Sequence, residues 1–244
     1  MENKEWFSDW FDSKYYHILY GNRDYEEAER FMRNLMGYLR TPENELIVDL
    51  ACGKGRHSIY LNKLGYKVLG LDLSKQSVEQ ASKHENNRLS FAVHDMRQKM
   101  PVKNVGVVLN LFTSFGYFDQ PQEDIKVLSS AYKALKKRGV LVIDFLNAEK
   151  VQNELIPYEN KKISGINFEI SKTIENNHVV KTIRFSDNSK EYQYEERVKL
   201  LRKENFEHYL NQVGFEIKQL FGDYNLNAFN SSVSPRLIIE AKKK

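Results

Sequence analysis

The 244-residue sequence predicts an α/β fold, a Rossmann-like, doubly wound and mostly parallel sheet with an inserted antiparallel β meander. Three observations predict it. Short apolar runs recur at 46–50, 67–72, 89–93, 105–109 and 140–143, set among helical patterns. Strands apolar on both faces belong to a parallel sheet covered by helices on both sides. The first run passes through Asp49 into the small-residue turn Ala51-Cys52-Gly53-Lys54-Gly55 and then a helical pattern, as where a buried strand hands over to a helix. Finally, from about 161 to 201 the apolar period becomes two around Asn176-Asn177 and Asp187-Asn188-Ser189, which reads as strands at 163–174, 178–186 and 190–201.

Each element has a local reason. Residues 5–20 hold Trp6, Phe7, Trp10, Phe11, Tyr15, Tyr16 and Tyr20, and read equally as a lid over a cleft or as a helix docked on the body. Asp24 and Glu27 have capping-box spacing, ahead of Ala28, Phe31, Met32, Leu35 and Leu39 on one helical face. That helix stops before Thr41-Pro42. Gly65 stops a helix over 55–64, and Ser74 is placed to cap the helix of Val78 and Ala81. Pro121 opens a helix carrying Ile125, Leu128, Ala131 and Leu135, expected to end at Gly139. After the meander a helix with Phe206, Tyr209, Leu210 and Val213 ends at Gly214, and strands follow near 215–221 and 236–241. The expected division is a helical lid plus α/β core over 1–150, the meander over 151–202, and a completing helix and strands over 203–244.

The bulk chemistry narrows the class. The formal charge is +4, from 37 basic and 33 acidic residues, and three of the positives are the terminal Lys242, Lys243 and Lys244. So balanced a body does not announce a nucleic-acid surface. The single cysteine, Cys52, excludes an intrachain disulfide and any cysteine-cluster metal site, and no metal is expected. It fits a reducing compartment. The polar start Met1-Glu2-Asn3-Lys4 lacks a signal peptide's apolar core, and no run approaches the ~20 residues of a membrane helix. A cytoplasmic protein without membrane association is expected.

Asp49, Asp72 and Asp95 fall at the ends of successive strands, where side chains of an open α/β sheet converge on one crevice. Gly53 and Gly55 let a ligand approach the main chain. Asp72 can accept both hydroxyl protons of a ribose diol. A dinucleotide fingerprint wants a third glycine where Ser58 stands, and Lys54 comes too early for a phosphate loop. A nucleoside ligand without phosphates fits better.

Asp49-Leu50-Ala51-Cys52-Gly53-Lys54-Gly55 resembles motif I of the class I S-adenosylmethionine-dependent methyltransferases. Leu71-Asp72-Leu73-Ser74 is similar to their motif II, His94-Asp95-Met96 to their adenine segment, and 135–144 to their stretch into strand five. The resemblance spans roughly 46–146 and implies methyl transfer from S-adenosylmethionine, with S-adenosylhomocysteine as product. It implies that Ala51, Cys52, Gly53 and Gly55 cradle the amino-acid half, with Asp49 facing its ammonium and Arg23 or Arg56 its carboxylate. It further implies Asp72 on the ribose, Leu73 and Met96 on the adenine faces, Asp95 on the exocyclic amine, and Asn110 and Leu111 beside the sulfonium. The aromatic segment around Tyr16 and the meander look most like the small-molecule group, including sugar-amine N-methyltransferases. Their loop after strand four often carries a histidine where this chain has Tyr117. Tyr16, Tyr117 and His17 are the candidate catalytic groups. A small-molecule acceptor is expected, with RNA or protein methylation and non-catalytic cofactor binding as alternatives. Against nucleic acid, Asn110-Leu111-Phe112-Thr113 lacks the prolines of amino-methylating nucleic-acid enzymes. The meander is a candidate surface for a homodimer.

Overall fold

A computed structural model describes residues 5–21 and 25–244. The chain begins with α1 (Trp6–Phe11), α2 (Lys14–Leu19) and α3 (Tyr25–Leu39). Strand and helix then alternate as β1 (Leu46–Leu50), α4 (Arg56–Lys63), β2 (Lys67–Asp72), α5 (Lys75–Ala81) and β3 (Leu89–Val93). There follow β4 (Val105–Asn110), α6 (Pro121–Ala134), β5 (Leu135–Leu146) and α7 (Ala148–Glu154). The second sheet holds β6 (Tyr158–Ile163), β7 (Ile166–Glu175), β8 (His178–Asp187) and β9 (Lys190–Lys199). The chain finishes with α8 (Lys203–Val213), β10 (Phe215–Phe221) and β11 (Arg236–Lys243). The expected cap at Asp24 lies outside the described residues.

The main sheet runs β10-β11-β5-β4-β1-β2-β3. Pairing is parallel from β5 to β3 and antiparallel where β11 joins β5 and β10. Strand order reverses between β1 and β4, which opens a crevice at their carboxyl ends. Every residue of β4 is buried, so the sheet needs helices on both faces. On one face Val48, Leu50 and Val108 pack with Leu128 and Phe206, and on the other Ile47 and Val107 pack with Phe31 and Leu61. The predicted caps form: Ser74 accepts from the Ser77 N–H, Pro121 opens α6, and Gly214 closes α8 at φ 103°.

One boundary differs. The helix expected to reach Gly139 ends at Ala134, and β5 begins at Leu135 with ψ 140°. Leu135 pairs with Val105 and is buried there, so its side chain serves the sheet rather than the helix face. The register of β4 against β5 then shifts between Val105 and Val107, with Arg138 at φ 61°. The extra residues of this bulge look like a helix terminus in the sequence.

The inserted sheet has four strands in the order β6-β7-β8-β9, not three. The strand added, β6, is an edge of mostly half-buried and exposed polar residues with Lys161 and Lys162, so no apolar alternation announces it. The inner face of this sheet presents Phe168, Ile170, Ile183 and Phe185 to Trp10, Tyr15 and Leu19. It is tied to the core where the Lys199 ammonium meets the buried Asp124 carboxylate at 2.6 Å. The Lys199 N–H also donates to Gly116 in the loop after β4, at 2.9 Å. No helix among the described residues is long and apolar enough to cross a membrane.

Candidate active site

The turn after β1 is left-handed at Ala51, Gly53 and Gly55, with φ 62°, 57° and 79°. The two glycines do different work. A Cβ at Gly53 would meet nothing within 4 Å, so there the backbone faces open crevice. At Gly55 it would lie 2.7 Å from the Phe91 ring, so Gly55 permits α4 to pack close to β3. Asp72 clamps the turn, accepting from the Gly53 N–H at 2.7 Å and the Ser74 N–H at 2.8 Å. Where a dinucleotide fold has its third glycine, Ser58 donates its hydroxyl to the Asp49 carboxylate at 2.6 Å.

Burial sets the electrostatics. It pushes Asp49 up to about 6, against the opposing hydrogen bond from Ser58. Burial also raises Asp72, countered by the N–H groups of Ser74 and Gly53. Each buried carboxylate therefore gains from a cation or a cluster of hydroxyl donors.

A crevice with two lobes surrounds Asp72. The larger, about 220 Å³, is lined by Asp49, Ala51, Cys52, Gly53, Arg56 and Leu111 from the core, and by Tyr16, His17 and Tyr117. The smaller, about 50 Å³, is lined by Leu73, Asp95 and Met96. Phe11, Ala51, Asp72 and Tyr117 border both lobes. The structure thus gathers most of the predicted site residues. Gly55 is a packing position, and Asn110 lies behind the wall, its amide donating to the Leu50 and Ser114 carbonyls at 3.2 and 3.1 Å. Arg23 lies outside the described residues. Asp95 borders its lobe, but both its oxygens accept from Arg97. The sequence reading passed over His57 and Ser77 in the larger lobe and Phe118 in the smaller.

The loop after β4 forms one wall. Phe112 and Thr113 are left-handed, at φ 57° and 61°, and their N–H groups donate to the Asp144 carboxylate and carbonyl, each at 2.9 Å. The Phe112 ring lies 5.0 Å from His57 and beneath the Arg56 guanidinium at 4.3 Å. Tyr117 donates its hydroxyl to the Thr113 carbonyl at 2.5 Å, within the same loop.

The N-terminal helices cross the crevice and are tied down on three sides. Glu5 binds Arg97 at 2.6 Å. Asp12 accepts from the Ser74 hydroxyl at 2.7 Å and the Gln76 N–H at 2.9 Å, at the start of α5. Trp10 and Tyr20 both donate to Glu196 on β9 at 2.7 Å, and Lys181 bonds Tyr20.

Residues 47–139 match the family model described as a methyltransferase domain. The matched stretch is a class I S-adenosylmethionine-dependent methyltransferase domain. Its cofactor is S-adenosylmethionine, and the site fits that molecule: two lobes meet at the buried Asp72 carboxylate, and a second buried carboxylate, Asp49, stands in the larger one. The methyltransferase is 27% identical to YqeM of Bacillus subtilis (strain 168), provisionally named a methyltransferase, over 83% of this chain and 85% of that protein. Among solved structures it shares its fold with an S-adenosylmethionine-dependent methyltransferase from Clostridium acetobutylicum. There the TM-score is 0.78 at 18% identity, covering 94% of this chain and 96% of that one. It also shares its fold with an amino pentose methyltransferase from Micromonospora echinaspora, solved with S-adenosylmethionine bound. In that case the TM-score is 0.69 at 16% identity, covering 95% and 98% of the two chains.

Proposed function

We propose that this methyltransferase transfers a methyl group to a small-molecule acceptor, held in the larger lobe under the N-terminal helices. The observation that carries the reading is the lining that the larger lobe has besides Asp49 and the glycine turn. There Tyr16 and His17 from α2, and Tyr20 just after it, line the lobe together with Leu111, Ser114 and Tyr117 from the loop after β4. A wall of rings with a few polar atoms, closed by helices pinned at Glu5, Asp12 and Trp10, suits a small molecule better than a polymer. The near balance of charge agrees, and the amine-bearing sugar acceptor named for the Micromonospora enzyme points the same way.

When bound, S-adenosylmethionine supplies a methyl carbon on a sulfonium, open to in-line displacement by an acceptor lone pair. In this reading Asp72 takes the ribose hydroxyls on the lone pairs its N–H partners leave over. Asp49 holds the ammonium, Arg56 at the start of α4 the carboxylate, and Ala51, Cys52 and Gly53 the chain between them. Leu73 and Met96 flank the adenine, and Leu111 stands near the reacting centre. The helices α1 and α2 act as a lid that orders the acceptor and excludes water, which can supply much of the acceleration of a charge-dispersing displacement. In this reading His17, as a neutral imidazole, receives an acceptor proton, and the Tyr16 hydroxyl orients the acceptor. Tyr117 has committed its own proton to Thr113, so its oxygen can only accept.

The test is to incubate the protein with methyl-labelled cofactor and a cell extract split into metabolites, nucleic acids and proteins. Label in the metabolite fraction is expected, and label confined to RNA, DNA or protein overturns the reading.

A further inference from the structure

We infer that the chain pairs with a second copy of itself along β6, edge to edge and antiparallel, about a two-fold axis at Asn160. The inference concerns the free edge of the inserted sheet and is independent of what the protein methylates.

β6 ends the order β6-β7-β8-β9, so one side of it meets no strand of its own sheet. Which backbone groups point to that side follows from the pairing with β7. The Lys172 N–H donates to the Pro157 carbonyl at 2.8 Å, and these two residues continue the register in which Tyr158 faces Ser171. Opposed residues of an antiparallel ladder alternate between pairs that exchange hydrogen bonds and pairs that do not. Residues 157, 159, 161 and 163 therefore direct their backbone groups to β7. Those of Tyr158, Asn160 and Lys162 point to the open side, and all three residues are exposed. Edges are commonly blunted by a bulge, a proline or charge. The register of β6 against β7 runs without a bulge, and β6 itself holds no proline, so charge is what remains.

The charges select one partner and one register. Opposite charges directly across an antiparallel pair attract, and like charges repel. An axis through Glu159 sets the two Glu159 side chains against each other, and one through Lys161 does the same to the two lysines. An axis at either end leaves half of the strand unpaired. An axis at Asn160 instead sets Glu159 opposite Lys161 of the second copy on one face, and Tyr158 opposite Lys162 of the second copy on the other. Within its own chain Glu159 lies 3.1 Å from Lys161 and 2.7 Å from Lys172. In this register the signs alternate around the axis, and each charge gains an opposite neighbour. Lys162 beside the Tyr158 ring adds a cation on an aromatic face. Ile156 and Tyr158, left 63% and 55% exposed, stand at the end of β6 where the second copy's turn between β6 and β7 comes to lie. The contact is isologous and closes at two copies. It leaves the inner face of the sheet, with α1 and α2 on it, as it is.

Sedimentation equilibrium tests this, over roughly 1–300 µM, the range a small interface calls for. The wild type should show a reversible monomer–dimer equilibrium. Asn160→Pro removes the N–H groups at the axis without touching a bond to β7, and should raise the dimer dissociation constant about tenfold or more. Its affinity for S-adenosylhomocysteine, read by calorimetry, should stay within a few-fold of the wild type. Lys161→Glu and Glu159→Lys should each be monomeric alone, because each sets like charges across the axis. An equimolar mixture of the two should dimerise, because every cross-strand pair is again opposite in sign. A wild type that stays monomeric to the top of the range, a dimer that survives Asn160→Pro, or two charge variants that stay monomeric when mixed, overturns the inference. A readout that needs no variant is amide exchange in the 158–163 segment of the wild type. It should slow as concentration rises, and exchange independent of concentration is a further refutation.

Discussion

The Asp144 carboxylate accepts a hydrogen bond from the Phe112 backbone N–H at 2.9 Å, and through it β5 dictates the shape of the loop after β4. Its other partners are Arg236 Nε at 2.7 Å and the Tyr224 hydroxyl at 3.1 Å. Arg236 also reaches the Thr113 hydroxyl at 2.9 Å. Two consecutive left-handed residues without glycine each cost on the order of 1–3 kcal/mol and persist only where the surroundings over-determine them. Here a carboxylate, a guanidinium and the Tyr224 ring, stacked on Phe112 at 5.3 Å, supply that constraint.

Asp144→Ala should therefore destabilise the fold by about 3–5 kcal/mol, because Arg236 is left without its carboxylate in a largely buried place. Urea denaturation measures this. A loss below about 1 kcal/mol would mean that the loop holds itself.

The pH dependence of ligand affinity follows from Asp49. Its pKa of about 6 lies above the unfolded value, so the ionised form costs stability above pH 6, a cost relieved as pH falls through that value. An ammonium ligand reverses the preference, since it binds the ionised carboxylate. Affinity for S-adenosylhomocysteine should rise as pH goes from about 5 to 7, approaching tenfold per unit at the acid end, and level off above. Asp49→Asn should bind more weakly and lose the slope; a wild type with no slope speaks against this role.

Asp72→Ala should weaken S-adenosylhomocysteine by roughly 10- to 1000-fold, since hydrogen bonds to a charged group contribute about 1.5–3 kcal/mol each. It also removes the clamp on Gly53. Asp72→Asn, which retains one acceptor oxygen, should lose less. Calorimetry of the three proteins gives the order, and an unchanged affinity in Asp72→Ala would remove Asp72 from the site.

The lid reading predicts that saturating S-adenosylhomocysteine slows amide exchange in α1 and α2, measured by mass spectrometry. Asp12→Ala, which frees the segment from α5, should raise both exchange and the ligand dissociation rate. Identical exchange with and without ligand would make these helices permanent parts of the body.

Lys199→Met should cost about 3–5 kcal/mol by leaving Asp124 buried without its cation. The pair Lys199→Met with Asp124→Leu should recover most of that, because removing both charges removes the desolvation penalty. Denaturant melts of the single and double variants decide it.

The donor half was legible in the sequence because its signals are local. Asp49, the glycine turn, Asp72 and the Ser74 cap fall within one strand–helix–strand unit, and apolar runs mark the strands on either side. What stayed hidden is made by distant partners. Nothing near Phe112 says that residues 144, 224 and 236 meet there, and nothing near Asp95 says that Arg97 joins it to Glu5. Ser58 was visible as a departure from a dinucleotide motif, but its bond to Asp49 needed coordinates. The bulge at 136–139 and the polar edge strand β6 were lost for another reason, since neither carries the apolar period from which strands are read.

The packing of α1 and α2 on the inner face of β7 to β9 has a consequence for how such a chain can change its chemistry. In the reading proposed above, donor and acceptor recognition are written in different tracts: one in the turns of the parallel sheet, the other in two short helices seated on a separate one. Exchanging Ile170, Ile183 or Tyr194 for residues of another size would tilt α2, and with it Tyr16 and Tyr20, while leaving the Asp49–Ser58 and Asp72–Gly53 bonds untouched. Selection can therefore search for new acceptors by altering residues that touch no ligand, behind a methyl-donor site that stays the same.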